Sequence, residues 1–466
     1  MRQRSMKEDT KGIRFHVDTP LTGELGRRLP FQLTAAQQRV LSEIRRDMGV
    51  DRPMNRLVQG DVGCGKTIVA LHAMLMACGS GYQAALMAPT EILAEQHSLN
   101  LRDLIHDLGL TSVLLKSGGP AKGKAAVLQQ IQTGEAQIVI GTHALIQKKV
   151  HFNKLGLAVV DEQHKFGVLQ RKTLLEKGPH PDVLVLTATP IPRTLAMTVY
   201  GDLDVSIIDA LPPGRRPIQT WLFTGSQRRR AYQVVHDRLA AGHQGYIVYP
   251  LVEESEKTDL AAAVQAAERL QAYDFSQYHV GLLHGRMKSE EKAHTMAAFK
   301  AGEIQVLVAT TVIEVGVDVS NATVMLIEHA DRFGMAQLHQ LRGRVGRGTE
   351  ASYCLFVVEG GWREGGNPSA AQERLEALVR TTDGFEIAEE DLRIRGPGEF
   401  FGVRQWGIPE FRVAQLIRDR VLLEQARAEA FALIRRDPHL TAPTSQALRA
   451  ATLRRWKDTL DLGGIS

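Results

Sequence analysis

Gly60-Asp61-Val62-Gly63-Cys64-Gly65-Lys66-Thr67 has a glycine, four residues, then Gly-Lys-Thr, the pattern of a phosphate-binding loop. Glycines let the backbone curl until consecutive N–H groups point at a triphosphate. Lys66 can reach the β- and γ-phosphates, and Thr67 can offer its hydroxyl to Mg²⁺. Gly60, Asp61, Gly63 and Gly65 are therefore candidate nucleotide contacts, and ATP and Mg²⁺ are the expected cofactors. Residues 55–59 predict a strand entering the loop. Residues 67–78 predict a helix leaving it, with the positive end of its dipole under the phosphates.

Val159-Val160-Asp161-Glu162 ends a second apolar run with two acids. Asp161 suits Mg²⁺, and Glu162 suits orientation of an attacking water. His164 follows closely, positioned to report hydrolysis to Thr187-Ala188-Thr189 at the end of the next strand. Downstream, Gln340-Leu341-Arg342-Gly343-Arg344-Val345-Gly346-Arg347 places two arginines three apart, which predicts one helical face. Arg344 and Arg347 read either as arginine fingers, with Gln340 beside them, or as a basic patch for phosphates. Gly316 and Asp318 fall between two predicted strands, close to a γ-phosphate or ribose. Phe31 and Gln37 read either as an adenine site, one stacking and one reading the base edge, or as a capped helix start.

These groups need a scaffold that brings strand ends together. Residues 84–88, 137–141, 157–160 and 183–186 are short apolar runs between helical patterns, which predicts a parallel, doubly wound sheet. A second set follows at 246–249, 280–283, 305–308, 324–327 and 353–358. Leu211-Pro212-Pro213-Gly214-Arg215-Arg216-Pro217 separates the sets as an extended linker. Only the first set carries a phosphate loop, so the expected site is the cleft between two lobes. Beyond Pro368 a helical hairpin is predicted, with Leu375, Leu378 and Val379 on one face and Phe385, Ala388 and Leu392 on the other helix. Residues 395–399 break the helix, and a helical tail runs to about Trp456.

Length and composition fit this plan. At 466 residues, two or three domains are expected. Fifty-seven Lys+Arg against 52 Asp+Glu give a net charge of +5, compatible with nucleic acid. Three scattered cysteines suit neither a disulfide framework nor a zinc site and predict reduced thiols in a cytoplasmic protein. No apolar run reaches the length of a membrane span, and the charged start, residues 1–7, is not a secretory signal.

In order, these motifs resemble those of the superfamily 2 helicases, and most closely the RecG family of bacterial branched-DNA translocases. The likeness runs through residues 29–37, 88–97, 161–168, 311–318 and 337–348 and covers nearly the whole chain. The transcription-repair coupling translocases share the second-lobe motifs and the hairpin. They typically carry Glu where Gln163 stands and Ala where Pro397 stands, and no segment here reads as their polymerase-binding module.

The resemblance implies an α/β architecture: two tandem RecA-like lobes with doubly wound parallel sheets, then a helical hairpin and a helical C-terminal tail. The expected boundaries are a linker-helix remnant at 1–25, lobes at 26–207 and 218–362 joined by 208–217, and the hairpin, loop and tail at 363–466. It implies an ATP-dependent helicase acting as a monomer on branched duplex DNA, with single-stranded DNA-binding protein as a further partner and no membrane. Backbone contacts are expected from Thr90, Thr142, His143, Arg286, Thr310 and Thr311. Arg380, Arg393, Arg395, Glu399 and Gln405 are expected to link hairpin, loop and lobe. RecG proteins carry an N-terminal wedge, whereas this sequence starts inside what resembles the helix that follows it. The expectation is a full motor with inefficient fork reversal.

Overall fold

The computed structural model describes residues 11–116, 118, 121–162, 173–189, 203–212, 216–250, 256–310, 319–359, 369–400, 419–437 and 440–462. The chain divides into two units. The first takes in 1–60, 64–210 and 397–466, and the second 61–63 and 211–396.

The first unit is built on β1 (Asn55–Gly60), β2 (Gln83–Met87), β3 (Ser112–Leu115), β4 (Ile138–Gly141), β5 (Leu155–Asp161), β6 (Asp182–Thr187) and β7 (Asp204–Ile208). These form one seven-stranded sheet in the order β3-β4-β2-β5-β6-β1-β7, with every pair parallel. Helices α1 (Pro20–Arg28), α2 (Ala35–Met48), α3 (Lys66–Gly79), α4 (Glu91–Asp107) and α5 (Ala121–Thr133) intervene. The strands predicted from apolar runs are present. The outermost, β3 and β7, were not foreseen, because edge strands bury only part of their length and carry no continuous apolar signal.

Helix α3 is apolar almost all round because it is enclosed, with Val69, Leu71, Met74 and Leu75 all inaccessible. The described part of the expected linker remnant is not helical before α1. Residues 11–16 form no regular element, and Phe15 N–H donates to Met48 O at 2.9 Å while the Phe15 ring meets Tyr82 edge-on at 5.4 Å.

The second unit contains β8 (Gln219–Thr224), β9 (Gln244–Val248), β10 (Val280–Leu283), β11 (Val306–Ala309), β12 (Ala322–Ile327) and β13 (Tyr353–Val358). Their order is β10-β11-β9-β12-β13-β8, again parallel throughout. Alternate residues feed two cores: Tyr246, Leu307, Met325 and Phe356 enter one, and Ile247, Val308, Leu326 and Leu355 the other. Helices α6 (Arg228–Ala240), α7 (Glu256–Arg269), α8 (Ser289–Lys300) and α9 (Met335–Arg342) complete the lobe.

The hairpin is α10 (Ala370–Arg380) and α11 (Gly384–Phe400). Ser369 Oγ caps α10, and Asp383 Oδ1 accepts from Phe385 N–H at 2.7 Å to start α11. Leu375, Leu378, Ala388 and Leu392 are buried as expected, but Val379 is 41% exposed, because the buried stripe of α10 runs through Leu375 and Leu378 instead. The predicted break lies at Gly396, at φ 76° and ψ 161°. Among its described residues the tail has two helices, α12 (Arg420–Arg436) and α13 (Gln446–Leu462). Asp437 separates them by accepting from the N–H groups of Thr441 and Ala442.

Asp182 opens β6, and its Oδ1 accepts from Met54 N–H at 2.8 Å. The side chain is fully buried, and burial pushes the carboxyl up to about 8, with the charge of Asp47 acting in the same direction. The folded pKa lies above the unfolded one. The folded state therefore holds the extra proton, and stability falls as pH rises toward 8. Asp182→Asn keeps an acceptor for Met54 without a titrating group. It should abolish a loss of up to about 3 kcal/mol between roughly pH 6 and 8 in thermal unfolding.

Candidate nucleotide-binding site

Strand β1 delivers the chain to Gly60 at the centre of the first sheet, and the loop closes onto the start of α3. Gly65 caps that helix at φ 87°, and a Cβ there would run into the Gln37 amide nitrogen, so no other residue fits without strain. Lys66 is buried, and its Nζ donates to Gly60 O at 2.7 Å, folding the ammonium back across the loop. Thr67 is half-buried in the first turn. Asp61 groups with the second unit, and its Oδ1 accepts from Val62 N–H at 2.6 Å.

Gln37 is spent on architecture. Its Oε1 accepts from Thr34 N–H at 2.8 Å, Thr34 Oγ1 accepts from Gln37 N–H, and Gln37 Nε2 donates to Cys64 O at 2.8 Å. The capped helix start that the sequence allowed is present. The same amide also props the phosphate loop. Phe31 is 48% exposed and lines an open cavity of about 380 Å³ with Leu29, Pro30 and Leu33.

Asp161 ends β5, buried, with Glu162 next to it. Burial alone would raise the Asp161 carboxyl. A hydrogen bond from His97, the charges of His97 and Lys66 and the Glu162 N–H together hold it below the usual carboxylate range. His97 Nε2 lies 2.8 Å from Asp161 Oδ2. Glu162 sits at φ 53°, a left-handed conformation uncommon for such a residue. Its Oε2 accepts from Ala188 N–H at 3.3 Å, and Thr187 Oγ1 accepts from Thr189 N–H at 3.2 Å. The second acid thus touches the segment to which His164 was expected to report, while His164 itself lies outside the described residues.

The donor set fits Mg²⁺. It offers one hydroxyl and one buried, ionised carboxylate, and no cluster of three acidic, histidine or cysteine ligands exists among the described residues. Mg²⁺ takes few protein ligands and fills its shell with water and phosphate oxygens.

In the second unit, Gln340 is buried on α9. Arg344 and Arg347 do not share a helical face as the spacing predicted. The helix ends at Arg342, Gly343 caps it, and Gly346 turns the chain at φ 74°, so both arginines lie on the loop beyond. Gly316, Asp318 and Thr311 lie outside the described residues.

The arginine that sequence reasoning missed is Arg342. It is 2% exposed, and its Nη1 donates to Leu378 O at 2.7 Å, Thr381 O at 3.0 Å and Thr220 Oγ1 at 3.3 Å. Its Nη2 lies 2.9 Å from His339 Nδ1. Arg342 therefore fastens the motif helix to the end of α10 and to β8. A charged residue inside the motif was visible in the sequence, but its direction was not.

The expected nucleic-acid contacts divide. Thr90 caps α4, accepting from Leu93 N–H at 3.4 Å, and is half-buried. His143 and Arg286 are exposed. Thr142 and Thr310 are buried at 1% and 0% exposure, so neither hydroxyl reaches a surface. Each follows a buried strand, β4 and β11, and shares its enclosure.

Arg380 pairs with Glu390 at 3.4 Å, and Arg393 pairs with Glu390 and Glu373 at 2.9 and 3.3 Å. Arg380–Glu390 and Arg393–Glu373 join the two hairpin helices to each other rather than to the lobe, and Arg393–Glu390 lies within α11. Arg395 Nε donates to Asp391 at 2.8 Å, and its guanidinium passes beside Gly334 at the start of α9. The Glu399 side chain and Gln405 lie outside the described residues, as do Gln163 and the Pro397 side chain. Arg342→Leu removes the donor from one buried and one half-buried carbonyl, those of Leu378 and Thr381. It should cost about 3 kcal/mol in chemical denaturation of the second unit, well beyond the effect of Arg393→Leu on the exposed hairpin face.

Three family models match the chain: DEAD/DEAH box helicase at 34–198, helicase conserved C-terminal domain at 230–349, and ATP-dependent DNA helicase RecG, domain 3, C-terminal, at 381–466. The ATP-dependent DNA helicase RecG of Synechocystis is 52% identical over 89% of this chain and 49% of its own length. That of Aquifex aeolicus is 48% identical over 100% and 58%, and that of Bacillus subtilis 47% over 97% and 65%. The chain thus spans about half to two thirds of the length of these relatives.

A solved structure of RecG bound to a three-way DNA junction superposes with a TM-score of 0.73 at 44% identity, covering 91% of this chain and 55% of that one. Yeast Dbp5 bound to RNA and ADP BeF3 shares the fold at a TM-score of 0.57 and 17% identity, covering 81% of this chain and 91% of that one. Two parallel-sheet helicase lobes, close identity along almost the whole chain and a match specific to the RecG C-terminus agree: the chain belongs to the RecG family.

Proposed function

We propose that the chain is an ATP-hydrolysing motor that tracks on duplex DNA and remodels branched DNA, at stalled forks, Holliday junctions and R-loops, in recombination and repair. The observation that carries this is the electrostatic unity of the first-unit site. Lys66 on the phosphate loop lies close enough to Asp161 on β5 to favour its ionised form, and Glu162 follows directly.

In this reading residues 26–207 bind nucleotide, 218–362 complete the motor, and 363–466 transmit its movement. The loop N–H groups and Lys66 hold the triphosphate. Glu162, steadied by Ala188 N–H, accepts the proton of the attacking water. Thr67 and Asp161 would hold Mg²⁺, which neutralises phosphate charge when bound. Arg344 and Arg347 supply positive charge to the transferring phosphoryl group, with Gln340 positioning them, and Gly316 and Asp318 approach the nucleotide. Phe31 stacks on adenine beside its open cavity.

Thr90, His143 and Arg286 contact the DNA backbone, and the matched RecG structure, which holds a three-way junction, supports a branched partner. The motor works as a monomer in the cytoplasm, with single-stranded DNA-binding protein as a further partner. Among the described residues no helix is long and apolar enough to cross a membrane.

The test is ATP hydrolysis with and without forked or four-way DNA. Strong stimulation by branched DNA is expected, and none by any nucleic acid would overturn the proposal. Fork unwinding measured alongside separates remodelling from hydrolysis alone. Lys66→Ala should reduce hydrolysis at least about 100-fold while DNA binding by gel shift stays measurable. Parallel loss of both would show that nucleotide and DNA sites are not separate.

A further inference from the structure

Helix α4 buries one stripe: Ala94, His97, Leu101 and Ile105, at the three- and four-residue spacing of a core-facing helix. Ala94, Leu101 and Ile105 join the apolar core of the first unit. A histidine in that series carries polar nitrogens into a place where water cannot serve them, so it must find a partner inside the protein. Its partner is Asp161, with Nε2 at 2.8 Å from Oδ2, and the two side chains are 11% and 12% exposed. The contact has a topological cause. Strand β2 runs beside β5, with Met87 opposite Val160, so the helix that follows β2 starts beside the end of β5.

We propose that His97 is a positioning residue for hydrolysis, its Nε2–H fixing the orientation of the Asp161 carboxylate that receives Mg²⁺. The inference rests on the nucleotide-site reading above. A carboxylate at a strand end rotates about its own bond, and an unrestrained one presents its oxygens in many directions. His97 occupies Oδ2 from a helix packed into the core, which restricts the carboxylate before any ligand arrives. Partners of this outer kind typically change metal affinity or activity by about 10–100-fold when removed. His97 needs no contact with nucleotide, and its effect passes through Asp161 alone.

The experiment uses the full chain with His97→Leu, His97→Gln and His97→Asn. A glutamine amide nitrogen reaches close to the position of Nε2, whereas an asparagine amide falls short of it. A fluorescent ADP analogue is titrated with and without Mg²⁺, alongside hydrolysis as a function of Mg²⁺. For His97→Leu, metal-free binding should stay within about 2-fold, while Mg²⁺ for half-maximal enhancement of binding should rise about 10-fold or more. His97→Gln should restore most of this loss and His97→Asn little.

Unchanged Mg²⁺ dependence in a folded His97→Leu protein would overturn the proposal. So would equal behaviour of Gln and Asn, a comparison that still decides if the leucine variant does not fold. Because ADP binding needs no hydrolysis, failure here is distinct from failure of the motor reading, which would appear as wild-type chain without nucleic-acid-stimulated turnover.

Discussion

The first unit is organised around a charged group at the end of a buried strand. Strand β5 is enclosed along its whole length, yet it ends in a carboxylate. Leaving Asp161 ionised there requires compensation, because desolvation acts against charge. His97 supplies a hydrogen bond, Lys66 a positive charge and the Glu162 N–H a further donor. Each comes from a different element, α4, α3 and the chain just past β5. Their packing is therefore tied to the site, and the strand order β2-β5-β6-β1, with α4 following β2 and α3 following β1, brings them together.

The phosphate loop is held in the same economical way. Gln37 caps its own helix, supports the Cys64 carbonyl and fills the space that any side chain at position 65 would need. One amide thereby couples the start of α2 to the curvature of the loop. In the second unit Arg342 plays a comparable part. It is buried with polar partners on β8 and at the end of α10, which makes the motif helix and the hairpin one packed body. The arginines after it lie beyond the helix end, on a loop bent at Gly346.

Much of the architecture was legible from periodicity. Buried central strands leave apolar runs, so β1, β2, β4–β6, β9 and β11–β13 could be read directly, and the edge strand β10 could be read because its four residues carry no polar side chain although three are partly exposed. The edge strands β3, β7 and β8 could not, since partial exposure mixes polar and apolar residues without a clean pattern. The break near Gly396 was also visible, because local backbone chemistry dictates it. The helical tail was legible too, but not its interruption at Asp437, whose carboxylate captures backbone donors from the following turn.

For the site, the sequence alone determined the chemistry on offer: a glycine loop with Lys66 and Thr67, paired acids at 161 and 162, and an arginine-rich run after 340. Those are local patterns, and residue type and spacing suffice to show them. Which hydroxyls are enclosed, as Thr142 and Thr310 are, was decided by neighbouring strands. Which arginine turns inward was decided by the carbonyls waiting at residues 378 and 381. That a histidine from α4 meets Asp161, 64 positions away, was decided by strand order. Contacts between distant segments depend on how layers pack, and no window of sequence contains that information.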